Sequence, residues 1–312
     1  MEIALKTFLI IFAAFLLLVR FSPLSGGQLS RRSSSSLISN GVKRTYLLYV
    51  PASYEPTKPT PLVISLHGFK DYPTRQMRKS GWNALAEKEG FIVVYPLGSG
   101  IPPAWKLYDY KNPSINPTKD IRFISDLMDH LQKEFNIDPS RIYANGLSNG
   151  GGMSLALACV LSERIAAVGS VVGAYFYPLD ACQPTRPVPM IAFHGTADKL
   201  VSYTGGPSKR FDYPFPSIPK FIQKLAQRNG CISVPKELMV NSKVRSTSYS
   251  AGEGGADVVL YTIEGGEHAW PVGNRYPRWL AWNASVDINA TRVMWEFFQA
   301  HPLKNDTINV SD

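Results

Sequence analysis

The chain has 312 residues, of which 45% are hydrophobic, 12% aromatic and 18% charged. That balance supports a sizeable buried core and excludes an intrinsically disordered chain, and the lack of any repeat or low-complexity array excludes a solenoid or fibre. Lys and Arg number 33 against 24 for Asp and Glu, a formal charge of +9, but only Arg31-Arg32, Lys43-Arg44 and Lys209-Arg210 form even short clusters, and none sits in a nucleic-acid motif, so no nucleic-acid partner is expected.

Residues 7–19, TFLIIFAAFLLLV, form an unbroken apolar run after Lys6. This is the shape of a signal-peptide core, and at about a dozen residues it falls short of the ~20 that span a bilayer. Residues 1–21 are expected to be a signal peptide or, if uncleaved, an N-terminal anchor, which is the single route to a membrane. A secreted, extracellular protein follows. Residues 22–36, ending in SRRSSSS, read as a Ser-rich linker, so a catalytic domain is expected over 37–303 with a polar tail over 304–312.

The domain opens on an antiparallel hairpin, because Asn40-Gly41 separates the strand-like runs SSLIS and VKRTYLLYV and both turn residues tolerate positive φ. Four short apolar runs follow at 62–66, 91–95, 141–144 and 190–193, and a fifth at 258–263. Their continuous apolar character is that of parallel strands covered on both faces. Between them, Ile121, Ile124, Met128, Leu131 and Phe135 share one helical face, residues 153–161 are apolar nearly all round, and Val286, Ala290, Val293, Met294 and Phe297 outline a closing helix. Residues 202–220, rich in proline and aromatics, are expected to be a surface excursion. The fold class is α/β: a mostly parallel central sheet flanked by helices, with the antiparallel hairpin at its N-terminal edge.

The sharpest chemical signal is Gly146-Leu147-Ser148-Asn149-Gly150, a G-x-S-x-G between the strand RIYAN and a helix. A nucleophile on such a turn needs small neighbours so that strand and helix can approach while the hydroxyl stays exposed. The alternative is a glycine-rich turn with a capping serine. Serine needs a base and an orienting acid. Of the five histidines, His268 alone lies in the loop after the last strand, whereas His67 and His194 sit at strand ends, His130 in mid-helix and His301 near the tail. Asp198, after the strand run at 190–193, completes the chain order Ser, Asp, His of the α/β-hydrolase arrangement. His194 is expected to fix that turn by hydrogen bonds. The backbone N–H groups of Phe69 and Asn149 are the candidate oxyanion donors. Tyr108 and Trp270 are candidate substrate-binding walls, together with Tyr110, Phe211, Tyr213 and Trp279, and each of these is equally readable as packing. No H-E-x-x-H or C-x-x-C occurs, so no metal and no cofactor is expected.

Cys159, Cys182 and Cys231 fit one bridge plus a spare thiol, with Cys159–Cys182 the preferred pair, or three buried thiols. Asn283, Asn289, Asn305 and Asn309 head N-x-Ser/Thr sequons and are candidate glycosylation sites.

The blocks SGWNALAEKEGFIVVYP, DPSRIYANGLSNGG, RPVPMIAFHGTADKLVSY and VVLYTIEGGEHAWP together resemble the secreted polyhydroxybutyrate depolymerase and feruloyl esterase group of α/β-hydrolases, which includes acetylxylan esterases of carbohydrate esterase family one. The resemblance spans about residues 40 to 300. It implies a cofactor-free carboxylic ester hydrolase with Ser148, Asp198 and His268 as its triad, acting on a small-molecule or polysaccharide-linked ester. Two departures stand out: relatives carry cysteine partners that are missing here, leaving Cys231 unpaired, and Glu267 occupies a position usually held by glycine. Hydroxyalkanoate, feruloyl and acetyl esters are not separated at this level, and oligomeric state is not indicated. A serine peptidase of the same fold and a non-catalytic carbohydrate-binding or adhesion protein are the competing readings.

Overall fold

A computed structural model describes residues 31–109, 111, 117–208, 214–231, 233–273 and 283–304. The expected leader, Tyr110, Phe211, Tyr213, Trp279, Asn305 and Asn309 lie outside these residues. The described elements, in chain order, are β1 Arg31–Ser39, β2 Val42–Val50, β3 Thr60–Leu66, α1 Pro73–Ser80, α2 Trp82–Glu89, β4 Ile92–Pro96, α3 Lys119–Glu134, β5 Ile137–Leu147, α4 Asn149–Val160, β6 Ala167–Val171, β7 Met190–Gly195, α5 Ile218–Arg228, β8 Lys236–Asn241, β9 Val244–Tyr249, β10 Val258–Ile263 and α6 Ala290–Ala300.

The strands form one sheet in the order β1-β2-β4-β3-β5-β6-β7-β10-β9-β8. Its centre, from β4 through β10, is parallel, and antiparallel pairs close both edges. Successive residues of a strand point to opposite faces, which is why the continuous apolar runs feed two cores. Leu62, Ile64, Ile92, Val94 and Ile142 pack with the helices α3, α4 and α5 on one side, while Val63, Val93, Tyr95 and Tyr143 pack with α2 and α6 on the other. The sheet is therefore the middle of three layers, and crossovers bring the loops that follow β3, β5, β7 and β10 to its carboxyl edge.

The predicted hairpin forms, with Ser39 opposite Val42 and Asn40 and Gly41 both at positive φ. It begins earlier than expected. Residues 31–36, read as linker, are the first part of β1, paired from Arg31 opposite Val50 onward. A polar serine run satisfies an edge strand because its backbone is paired on one side and its side chains remain in solvent.

Four further differences have plain causes. The strand β6, AVGSV, went unpredicted because small residues mask its β character; Gly169 faces the Met294 side chain, which a Cβ would strike at 2.3 Å. In the edge hairpin β8–β9, β8 is exposed throughout and β9 is polar and only partly buried, so neither carries the buried-strand signature. The described parts of 202–220 are no mere excursion: Phe215 is buried, Tyr203 donates to or accepts from Thr262 at 2.8 Å, and α5 starts at Ile218 with Pro219 in its first turn. Proline is tolerated there because the first-turn N–H groups have no helical partner. Likewise α6 begins at Ala290, since Asn289 accepts from Arg292 N–H and caps it.

Cys159 and Cys182 are disulfide-bonded, joining α4 to the loop before β7. Cys231 is a free, buried thiol directed at the carbonyls of Tyr249 and Ala256. Among the described residues, no helix is long and apolar enough to cross a membrane.

Candidate active site

The turn from β5 into α4 is forced to be tight. A Cβ at Gly146 would lie 2.4 Å from the Gly150 backbone, and one at Gly150 would lie 2.4 Å from the Leu66 carbonyl and 2.6 Å from that of His67. Only glycine permits this approach. Ser148, between them, sits at φ 55° and ψ −114°, a conformation that costs a non-glycine residue on the order of 1–3 kcal/mol. Its amide donates to Val171 O at 2.8 Å, and its carbonyl accepts from Gly152 and Ala174 N–H, so the strained turn is held on three sides.

The loops after β7 and β10 are stitched together by backbone. Thr196 N–H donates to Ile263 O and Ala197 N–H to Gly266 O, both at 3.0 Å, and Gly195 abuts Gly266 so closely that a Cβ would fall 2.1 Å from its carbonyl oxygen. This sets Asp198 against His268, whose Nδ1 lies 2.7 Å from Asp198 Oδ2. The other carboxylate oxygen accepts the N–H groups of Leu200 and Val201 at 2.8 and 2.9 Å. His194 Nε2 lies 2.8 Å from Val201 O and 3.4 Å from Asp198 Oδ2; a carbonyl only accepts, so this nitrogen carries the proton and bridges both. His194 thus fixes the turn as expected. Burial by itself would raise the Asp198 pKa, but the hydrogen bonds from His194 and His268, the charge of His268 and the Val201 amide outweigh it and hold the carboxyl well below the ordinary carboxylate range. Asp198 is ionised wherever the protein is folded near neutral pH.

Ser148 and His268 line one cleft of about 180 Å³. Phe69, Leu147, Ala174, Phe176, Leu200 and Val201 give it apolar walls, and Lys79, paired with Asp71 at 2.7 Å, stands at its polar end. Phe69 and Asn149 both border the cleft; Asn149 is the first residue of α4, where the N–H has no helical acceptor.

Two proposed walls lie elsewhere. Trp270 is 2% exposed in the core beneath α6, its indole N–H donating to Thr291 Oγ1 at 2.9 Å. It follows His268 by two residues, but the chain turns inward between them. Tyr108 lines a separate groove of about 870 Å³, with Arg44, Lys106 and Asp120, and packs edge-on against Tyr177. The residues that do line the cleft, Lys79 and Asp71 on and before α1 and Phe176 after β6, carry no motif and were missed. Asn283 is exposed, and Asn289 caps α6 through its Oδ1. Among the described residues, no group of three or more His, Cys, Asp or Glu is placed to hold a metal ion.

The three-layer arrangement, with a strained serine at a strand-to-helix turn, defines the class, the α/β-hydrolase fold. Residues 44–184 match the family model described as esterase PHB depolymerase. The chain is 34% identical over 163 residues to a bifunctional acetylxylan esterase/xylanase of Neocallimastix patriciarum, covering 52% of this chain and 22% of that protein. It is 30% identical over 234 residues to feruloyl esterase B of Piromyces equi, covering 72% of this chain and 42% of that protein. The chain therefore spans less than half the length of these two relatives. Among solved structures, an acetyl xylan esterase from Aspergillus awamori superimposes with a TM-score of 0.62 at 15% identity, over 80% of this chain and 98% of that one. The chain is thus similar to the group of esterases that its sequence blocks resemble.

Proposed function

We propose that the protein is a serine carboxylic ester hydrolase with Ser148 as nucleophile, His268 as base and Asp198 as its orienting acid. The observation that carries the reading is the 2.7 Å contact of His268 Nδ1 with a buried, ionised Asp198, in the same cleft as the strained Ser148. Because the carboxylate only accepts, His268 carries its proton on Nδ1, which leaves Nε2 as the lone-pair nitrogen for the serine hydroxyl. Ser148 Oγ attacks the ester carbonyl and its proton passes to His268. The oxyanion is received by the N–H groups of Phe69 and Asn149, and its collapse expels the alcohol, which takes the proton from His268. Water, deprotonated by the same histidine, then releases the acid and restores Ser148.

The apolar walls exceed what an acetyl group fills, which favours an aromatic acyl group of the feruloyl kind, as the relatives' feruloyl esterase activity suggests. The apolar run at 7–19 and the disulfide support export of the enzyme. The test compares purified wild type with Ser148→Ala on p-nitrophenyl acetate, p-nitrophenyl butyrate and methyl ferulate. Turnover that disappears in Ser148→Ala and is highest on methyl ferulate supports both parts of the reading. A folded wild type no faster than the variant on all three esters refutes the serine mechanism, and a preference for acetate refutes the aromatic pocket.

A further inference from the structure

The two amides assigned to the oxyanion belong to different elements, the loop after β3 and the first turn of α4, and both are tied to one buried residue that does not line the cleft. Trp105 is 3% exposed. The Asn149 carboxamide engages both of its backbone groups: Trp105 N–H donates to Asn149 Oδ1 at 2.7 Å, and Asn149 Nδ2 donates to Trp105 O at 3.1 Å. On its other side, Trp105 Nε1–H donates to His67 O at 2.9 Å, and the indole lies against the His67 ring with centroids 5.1 Å apart.

The chain of bonds continues to the second donor. Gly98 N–H donates to His67 Nε2 at 2.9 Å, so that nitrogen is unprotonated and the proton resides on Nδ1, which donates to Gly68 O at 2.7 Å. Burial lowers the His67 pKa and so keeps this neutral form. The Gly68 carbonyl and the Phe69 N–H are the two ends of one planar trans peptide and point in opposite directions. A bond that holds the carbonyl therefore aims the amide.

We propose that Trp105 and the side-chain carboxamide of Asn149 are positioning residues, a cross-brace that sets the separation and aim of the two oxyanion donors; the inference rests on the esterase reading above. Neither group touches substrate: Trp105 is outside the cleft wall, and both ends of the carboxamide are engaged by Trp105 backbone. A brace has a physical purpose here, because donors stabilise a developing charge only if they need not reorganise when it forms.

Asn149→Ala removes one arm, and Trp105→Phe removes the indole N–H of the other while keeping an aromatic ring at that position. Four quantities decide: kcat and KM on p-nitrophenyl butyrate, inhibition by butane boronic acid, whose tetrahedral adduct with Ser148 occupies the oxyanion site, and the acid limb of the pH–rate profile. Each variant is expected to lose about 10–100-fold in kcat, with KM within about threefold, boronate inhibition weakened in parallel and the acid limb unmoved, since the His268–Asp198 contact is untouched. Folded variants with wild-type kcat and boronate affinity overturn the brace, as does a loss confined to KM or a displaced acid limb. If Asn149→Ala does not fold, Trp105→Phe decides alone. Ser148→Ala runs alongside: a wild type no faster than it defeats the esterase reading and the brace with it, whereas an active wild type with unaffected brace variants defeats the brace only.

Discussion

Gly150→Ala separates the geometry of the site from the stability of the fold. The added Cβ would lie 2.4 Å from Leu66 O and 2.6 Å from His67 O, both backbone atoms that no rotamer change can move aside. Ordinary contact begins at 3.4 Å, so strand end and helix must part by 3.4 − 2.4 = 1.0 Å. That displacement falls between the loop holding Phe69 and the turn holding Ser148 and Asn149. Misplacement of reacting groups by about 1 Å costs on the order of 10²-fold in rate. Overpacking costs about 1–3 kcal/mol, but alanine recovers up to about 1 kcal/mol over glycine in a helix, so the net loss of stability is roughly 0–3 kcal/mol. The expected result is a folded protein, its urea midpoint modestly lowered, with kcat/KM for p-nitrophenyl butyrate down about a hundredfold. Gly252→Ala, where nothing lies within 4 Å and φ is not positive, is the control and leaves both quantities unchanged. A Gly150→Ala enzyme with wild-type kcat/KM would refute the argument that this contact sets the site.

Asp198→Asn is expected to lower kcat by about 10³–10⁴-fold by disfavouring the required His268 tautomer, measured as burst and steady-state rates on the same ester. The same variant bears on acid stability: the native carboxyl has its pKa depressed, so its contribution is present above the ordinary carboxylate pKa and is lost as pH falls from there through the folded value. The wild-type stability advantage over Asp198→Asn, followed by urea unfolding, should therefore shrink on acidification below about pH 4, and an advantage that grows there would reverse the assigned sign. Cys159 and Cys182 are 23 residues apart, so Cys159→Ser with Cys182→Ser is expected to cost about 3 kcal/mol through the freed loop of the unfolded chain, read from the urea midpoint. Trp270→Phe loses the bond to Thr291 and is expected to cost about 1 kcal/mol while KM stays at the wild-type value; a raised KM would return Trp270 to the substrate wall.

Much of this protein was legible before any coordinate. Asn40-Gly41 announces its hairpin because the turn conformation is a local property of those two residues, and the parallel strands other than β6 announce themselves because burial on both faces leaves them with continuous apolar runs. Gly146, Ser148 and Gly150 are legible for the same kind of reason: a tight strand-to-helix turn tolerates few residue types, so the motif is written in adjacent letters. Asp198 and His268 follow from chain order, since each comes after a strand that delivers its loop to the same edge of the sheet. Trp270, two residues from His268, shows where proximity in sequence misleads, because the chain turns inward between them and spends the indole on Thr291. Lys79 and Asp71 reach the cleft from one place in the chain and Phe176 from another, and the Asn149 carboxamide meets Trp105 across 44 residues. Local chemistry and burial periodicity are carried by neighbouring residues and so are determined by the sequence directly. The walls of the cleft and the brace behind it arise only when distant loops pack side by side, and that packing was decided by the tertiary structure.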